Sequence, residues 1–136
     1  MASIRKVDYY SMKVKNRAGS AAGLLNALKG AGVNLLAFTG FPSGGGAQVD
    51  FIPQNRARFV KAARRAKLKL SPRKTVFLVQ GSDRVGALTG IVSKLAAARI
   101  SLTAMDAVTA GGGRFGAIFW VKKQNVGRAS RILKAR

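Results

Sequence analysis

The stretch RAGSAAGLLNALKGAGVNLLAFTG at residues 17–40 returns 67 positions later as RVGALTGIVSKLAAARISLTAMDA at residues 84–107. Arg17 falls on Arg84, Gly19 on Gly86, Gly23 on Gly90, Leu28 on Leu95 and Leu35 on Leu102. Carried on without a gap to Phe51, the shift lays Gly44, Gly45 and Gly46 on Gly111, Gly112 and Gly113, and ten of the 35 paired positions are identical. Most others exchange like for like: Leu24 with Ile91, Leu25 with Val92, Val33 with Ile100, Phe38 with Met105. A period of this length exceeds a solenoid repeat and is about the size of a small domain. The chain reads as two copies of one small fold, 1–70 and 71–136. Function is then to be sought where two equivalent copies meet.

Working outward from that stretch, the periodicity changes in a fixed order. Residues 9–14 alternate as a strand with Tyr10, Met12 and Val14 on one face. Residues 16–20 turn into a helix over 21–31, with Asn16 or Ser20 placed to cap it and Leu24, Leu25 and Leu28 on one side. Gly30 and Gly32 stand where a helix end takes a left-handed residue. Strands at 33–41 and 47–52 flank a glycine turn. A basic helix at 54–66 then puts Phe59, Val60 and Ala63 inward, and 68–70 is a short fourth strand. The second copy repeats the order: a strand at 75–80, a turn with Ser82 or Asp83 as cap, a helix at 87–98, strands at 100–108 and 115–121, and a basic helix at 125–134. The glycine triplets precede strands, not helices, and lack a following Lys-Ser or Lys-Thr, so they are hairpin turns and not phosphate cradles.

This is the order of a ferredoxin-like βαββαβ unit. The expected fold is α+β, two such units in tandem, the second lacking its last strand because the sequence stops at Arg136. That strand belongs at a sheet edge, so its loss leaves an edge for the sister unit, the N-terminal segment or another chain to cover. Units of about 65 residues are marginal alone, which predicts shared buried surface.

Composition narrows the chemistry. The 136 residues carry 25 Lys and Arg against 4 acids, all Asp, for a net charge of +21. There is no Cys, so no disulfide and no thiolate. With no His and no Glu, the usual general base and the usual metal ligand are missing, and Asp8, Asp50, Asp83 and Asp106 are scattered. Neither catalysis nor a metal or other cofactor is expected. No apolar run is long enough to span a bilayer and residues 1–10 lack the apolar core of a signal peptide, which predicts a cytoplasmic protein with no membrane partner. The cations crowd the later helix of each copy and the junction between copies: Arg56, Arg58, Lys61, Arg64, Arg65, Lys67, Lys69, Arg73, Lys74, then Lys122, Lys123, Arg128, Arg131, Lys134, Arg136. They read first as solvated helix faces that bind nucleic acid non-specifically through charge, ahead of a dedicated nucleic-acid site.

Three local features resemble the ACT domain, a small regulatory module that binds amino acids or similar effectors. They are the turn glycines Gly19 and Gly86, the helix pattern Gly23-Leu24-Leu25-x-x-Leu28 with its partner Gly90-Ile91-Val92-x-x-Leu95, and the helix exits Gly32-Val33-Asn34-Leu35 and Arg99-Ile100-Ser101-Leu102. The resemblance covers nearly the whole chain. It implies a tandem ACT-domain protein that binds a small effector, an amino acid, at the interface of the two units, and that passes its output to an unidentified partner, as a homo-oligomer or through another macromolecule. The chemistry of the turn suits this on its own terms. Glycine lets backbone approach a ligand, and the first amides of a helix point outward at the positive end of its dipole, where a carboxylate fits. Asn34 and Ser101 offer a polar contact to the rest of the ligand. The candidate ligand-binding residues are therefore Asn16, Ala18, Gly19, Ser20 and Asn34 in the first copy, and Asp83, Val85, Gly86, Ala87 and Ser101 in the second. The exchange of Asn34 for Ser101 and of Gly32 for Arg99 makes the two sites unequal.

The same fold class holds the RNA recognition motif, whose first and third strands carry stacking aromatics. The second copy offers Phe77 on one strand and Phe115 and Phe119 on another. In the 67-residue register Ile118 matches Phe51 and faces the helices, which turns Phe115 and Phe119 outward. The alternative function is thus an RNA- or nucleic-acid-binding module using the basic surface and these two rings. Otherwise the rings are buried against the sister unit or a second chain.

Overall fold

The computed structural model describes residues 2–136. Its elements run β1 (Ser3–Val14), α1 (Ser20–Gly30), β2 (Leu35–Ser43), β3 (Gly46–Pro53), α2 (Arg56–Arg65), β4 (Lys74–Ser82), α3 (Thr89–Ala97), β5 (Leu102–Gly111), β6 (Arg114–Val121), a 3-10 turn at Lys123–Asn125 and α4 (Val126–Leu133). The fold is α+β with antiparallel strand pairs. The compact units are Asp8–Lys74 and Thr75–Arg136, and the residues up to Val7 belong with the second of these, not with the first. Among the described residues no helix is long and apolar enough to cross a membrane.

In the unit Asp8–Lys74, β3 lies between β2 and the later half of β1 and pairs antiparallel with both. Alternation along β3 turns Val49 and Phe51 toward the helices, where they meet Tyr10, Leu24, Leu28, Phe59 and Ala62. The rings of Tyr10 and Phe51 lie 5.4 Å and 5.3 Å from that of Phe59. The strand expected at 68–70 does not form. Ser71 N–H donates to the Ser11 carbonyl at 2.8 Å, but Ser11 N–H finds the Ser71 hydroxyl at 2.9 Å in place of a carbonyl. Pro72 follows with no N–H to give, so no ladder develops. Leu68 and Leu70 still pack on the core.

In the other unit β6 lies between β4 and β5, antiparallel to both. Its core gathers Phe77, Ile91, Leu95, Ile100, Phe119 and Leu133. The strand beside β4 comes from the start of the chain, one of the three sources expected for that edge. β1 is the hydrogen-bonded neighbour of β4, and Ala2 and Ile4 pack on this core. Gly81 permits that approach: a Cβ there would stand 2.9 Å from Ala2 Cα and 3.1 Å from a Phe115 ring carbon. The last residue joins the same strand, with Arg136 N–H donating to the Ile4 carbonyl at 3.0 Å and Lys6 N–H to the Arg136 carbonyl at 2.9 Å.

The outward placement of Phe115 and Phe119 is wrong. Both are buried in the core of their own unit, and Phe119 stacks on Phe77 with centroids 4.8 Å apart. The cause is one extra residue in β5. Its register slips between Thr109 and Gly111, whereas β2 runs without a slip from Ala37 to its turn. The hairpin closes at Ser43–Gly46 in one unit and at Gly111–Arg114 in the other, so beyond the turn the repeat is 68 residues, not 67. Phe51 corresponds to Phe119, and a slip of one residue exchanges the faces of a strand.

Helix caps also differ from expectation. α1 starts after Gly19, held at φ 92°, and α3 starts after Leu88; neither has a side-chain cap, so Asn16, Ser20, Ser82 and Asp83 do not serve as one. α2 is the capped helix, with Asn55 Oδ1 accepting from Arg58 N–H at 3.0 Å.

Candidate functional site

β4 ends at Ser82, and six residues, 83–88, carry the chain to Thr89 at the start of α3. Asp83 N–H donates to the Gly113 carbonyl at 2.8 Å, which ties the start of this loop to the β5–β6 hairpin. Two turns follow: Ala87 N–H donates to the Arg84 carbonyl at 3.1 Å and Thr89 N–H to the Gly86 carbonyl at 3.0 Å. Gly86 sits at φ 74°, and a Cβ added to it would lie 3.3 Å from Thr89 Oγ1. A side chain there meets both a strained backbone and a crowded hydroxyl.

The loop forms one wall of a cavity of about 360 Å³. The other wall is β5, through Ala107, Val108 and Thr109, with Phe115 beside them. Val108 is 71% exposed, an unusual state for a valine in a strand. The lining residues with polar side chains are Asp83 and Arg84, of opposite charge, and Thr89 and Thr109, with Thr89 at the start of α3. Ala87, Leu88, Ala107, Val108 and Phe115 supply apolar surface. An anion is suited to Arg84 and the positive end of α3, an ammonium to Asp83, and a short apolar body to the remaining wall.

No protein-family model matches the sequence, and no curated protein does. Solved structures do match. A protein of Bacteroides thetaiotaomicron superposes with a TM-score of 0.79 at 16% identity, over 98% of this chain and 88% of that one. The ligand-free regulatory subunit of aspartate kinase from Thermus thermophilus gives 0.62 at 11% identity, over 98% and 94%. That of Thermus flavus gives 0.62 at 13%, over 98% and 94%. These regulatory subunits are ACT-domain proteins. The fold of this chain is ACT-like.

Within each unit the candidate residues fall at two places, the loop before the first helix and the far end of that helix. Asp83, Gly86 and Ala87 line the loop cavity, while Val85 stands fully in solvent. Asn16, Ala18, Gly19 and Ser20 form the equivalent loop of the other unit, closed by Ser20 N–H donating to the Arg17 carbonyl at 3.3 Å. Asn34 lies at the far end of α1 from Gly19, and Ser101 at the far end of α3 from Gly86. An 11-residue helix such as α1 is about 16 Å long. In neither unit, therefore, do the two polar points touch the same small ligand. They line a second type of hollow instead, about 460 Å³ at Asn34 and about 440 Å³ at Ser101. The seven lining residues of one are those of the other shifted by 67, from Leu25 and Val92 to Leu35 and Leu102. Asn34 is already engaged: its Nδ2 donates to Gln54 Oε1 at 3.1 Å, and its carbonyl accepts from Gln54 N–H at 3.0 Å.

The sequence reading missed Arg84, Leu88, Thr89 and the β5 wall. Arg84 was visible as a repeated position, but the meeting of residues 83–89 with 107–109 depends on strand pairing. One sequence signal did point to the wall: the exposed apolar residues recur in register, Leu25 with Val92 and Phe41 with Val108. Among titrating groups Arg56 has its pKa raised, chiefly by a hydrogen bond with the Tyr10 side chain and by the Tyr10 charge, with Asp8 adding to both. It remains a cation and plays no part in the cavity.

Proposed function

We propose that this chain is a regulatory protein of two tandem ACT-like units that binds a small effector, an amino acid with a short aliphatic side chain, in the cavity between the 83–89 loop and β5. In this reading it has no catalytic activity, and its output passes to a partner macromolecule in the cytoplasm. The observation that carries the reading is the lining: Asp83 and Arg84 beside the start of α3, together with Ala87, Leu88, Ala107, Val108 and Phe115, around about 360 Å³. That volume falls in the range of about 300–1,000 Å³ usual for small-molecule sites. The two charges match the two charges of a free amino acid and leave none for a charged side chain. The likeness to regulatory subunits of aspartate kinase supports a regulatory role.

Thermal unfolding in the presence of each of the common amino acids tests this. At 100 times its dissociation constant the effector adds roughly 2.7 kcal/mol of stability. Gly86→Val and Asp83→Ala are expected to remain folded by circular dichroism and to lose the shift. If no amino acid stabilises the wild type, the effector reading fails. If one does so equally in both variants, the effector binds elsewhere.

A further inference from the structure

The outer face of α2 collects cations that nothing in its own unit answers. Phe59, Ala62 and Ala63 are the buried residues of this helix, which turns Lys61, Arg64 and Arg65 to solvent on the opposite side. Lys67 and Lys69, just beyond the helix end in the chain, are exposed too. The two other arginines of α2 have local partners: Arg56 pairs with Asp8 at 3.8 Å, and Arg58 donates to the Gly32 carbonyl at 3.4 Å. Among the described residues only Arg56 and Arg73 form ion pairs, and both use Asp8. The other acid of the unit, Asp50, is buried and accepts from Thr39 and Gln48. Arg64 and Arg65 suit the C-terminal end of the helix dipole, but Lys61 stands one turn from both and repels them, and the first turn has no acid. A face that serves solubility alone intersperses both signs.

The chemistry narrows the partner. Arginine presents a planar fork that matches phosphate oxygens. A lipid surface asks for an apolar face to insert, but the apolar side of α2 is spent in the core, with Phe59 fully buried. Base stacking asks for exposed aromatics, and the outer face of α2 has none. A row of cations without either feature follows a phosphate backbone and does not read bases. Duplex nucleic acid presents the densest such backbone, about one charge per 1.7 Å of axis. We infer that the outer face of α2, with Lys67 and Lys69, docks the phosphate backbone of a nucleic-acid duplex without sequence preference. The residues of this surface and those of the effector cavity do not overlap.

The test must separate a site from a net charge of +21. Fluorescence anisotropy of a duplex of about 20 base pairs, from about 50 to 200 mM salt, compares three proteins. They are the wild type, the α2 variant Lys61→Gln/Arg64→Gln/Arg65→Gln, and a control, Lys15→Gln/Lys94→Gln/Arg114→Gln, that removes the same charge elsewhere. The α2 variant is expected to reduce the slope of log affinity against log salt by about 2.7, about 0.9 for each phosphate no longer neutralised, with the control near wild type. Equal reductions in the two variants would show a diffuse field and overturn the proposal. Tighter binding to phosphatidylserine vesicles than to the duplex would overturn it in favour of a membrane surface. A preference for single-stranded RNA that survives the α2 substitutions would overturn it in favour of a base-reading site elsewhere.

Discussion

Phe119 holds the second unit together through one ring. It is fully buried, lies 4.8 Å from the ring of Phe77 with the planes 5° apart, and shares its core with Leu95 and Leu133. Its removal leaves a cavity in a small core. Phe119→Ala is expected to cost about 3–5 kcal/mol, the usual range for a buried phenylalanine. That is a large part of a domain's typical total of about 5–15 kcal/mol. Urea unfolding followed by circular dichroism measures it. A cost below about 1 kcal/mol, with altered sedimentation, would return Phe119 to an intermolecular role. The same burial removes the two phenylalanines from any base-stacking function.

At the scale of elements, α1, α2, α3 and α4 end in the same way. Val33 N–H donates to the Leu28 carbonyl at 3.0 Å, Leu68 to Ala63 at 3.0 Å, Ile100 to Leu95 at 2.9 Å and Ala135 to Ser130 at 2.9 Å. Each time a left-handed residue precedes the donor and satisfies a second carbonyl. Glycine fills this place once, at Gly32; the others are Lys67, Arg99 and Lys134, with φ of 59°, 58° and 52°. A left-handed L-residue costs about 1–2 kcal/mol, while a cation near a helix C-terminus gains about 0.3–1 kcal/mol. The steric cost is the larger. Arg99→Gly and Lys134→Gly are each expected to stabilise by about 0.5–1 kcal/mol on that balance. Thermal melts at matched salt decide it, and destabilisation in both would mean that the cationic side chains make interactions worth more than the strain.

At the scale of the whole molecule, one strand serves two cores. β1 gives its residues up to Val7 to the unit that contains Thr75–Arg136, and the rest to the unit Asp8–Lys74. A chain that begins at Asp8 therefore keeps one unit complete and strips the other of the strand beside β4. Removing Ile4 from that core alone costs up to about 1.5–3 kcal/mol, the value of burying such a side chain. Hydrogen exchange is expected to accelerate at Phe77 and Phe119 and to stay unchanged at Phe51. Equal acceleration in both units would show that they unfold as one.

The sequence by itself determined the repeat, the order of helices and strands apart from the strand expected at 68–70, the two hairpins and the excess of cations. These are written locally, in periods of 2 and 3.6 residues and in glycines at turns, and the likeness to solved structures supports the ACT-like fold they pointed to. Tertiary structure alone decided three things. One is the face of β6: the extra residue in β5 is invisible until its partners across the ladder are known, and it moves Phe119 from outside to inside. Another is the strand beside β4, taken from the opposite end of the chain. The last is the composition of the cavity, where Val108 and Phe115 come to face Asp83 and Arg84 while Ser101 does not. The first turns on pairing across a single hairpin, Thr109 with Phe115 and Gly111 with Arg114, where glycines alone do not say which residue bulges. The other two depend on hydrogen bonds between residues far apart in sequence, and no local pattern records which distant strand a given strand will join.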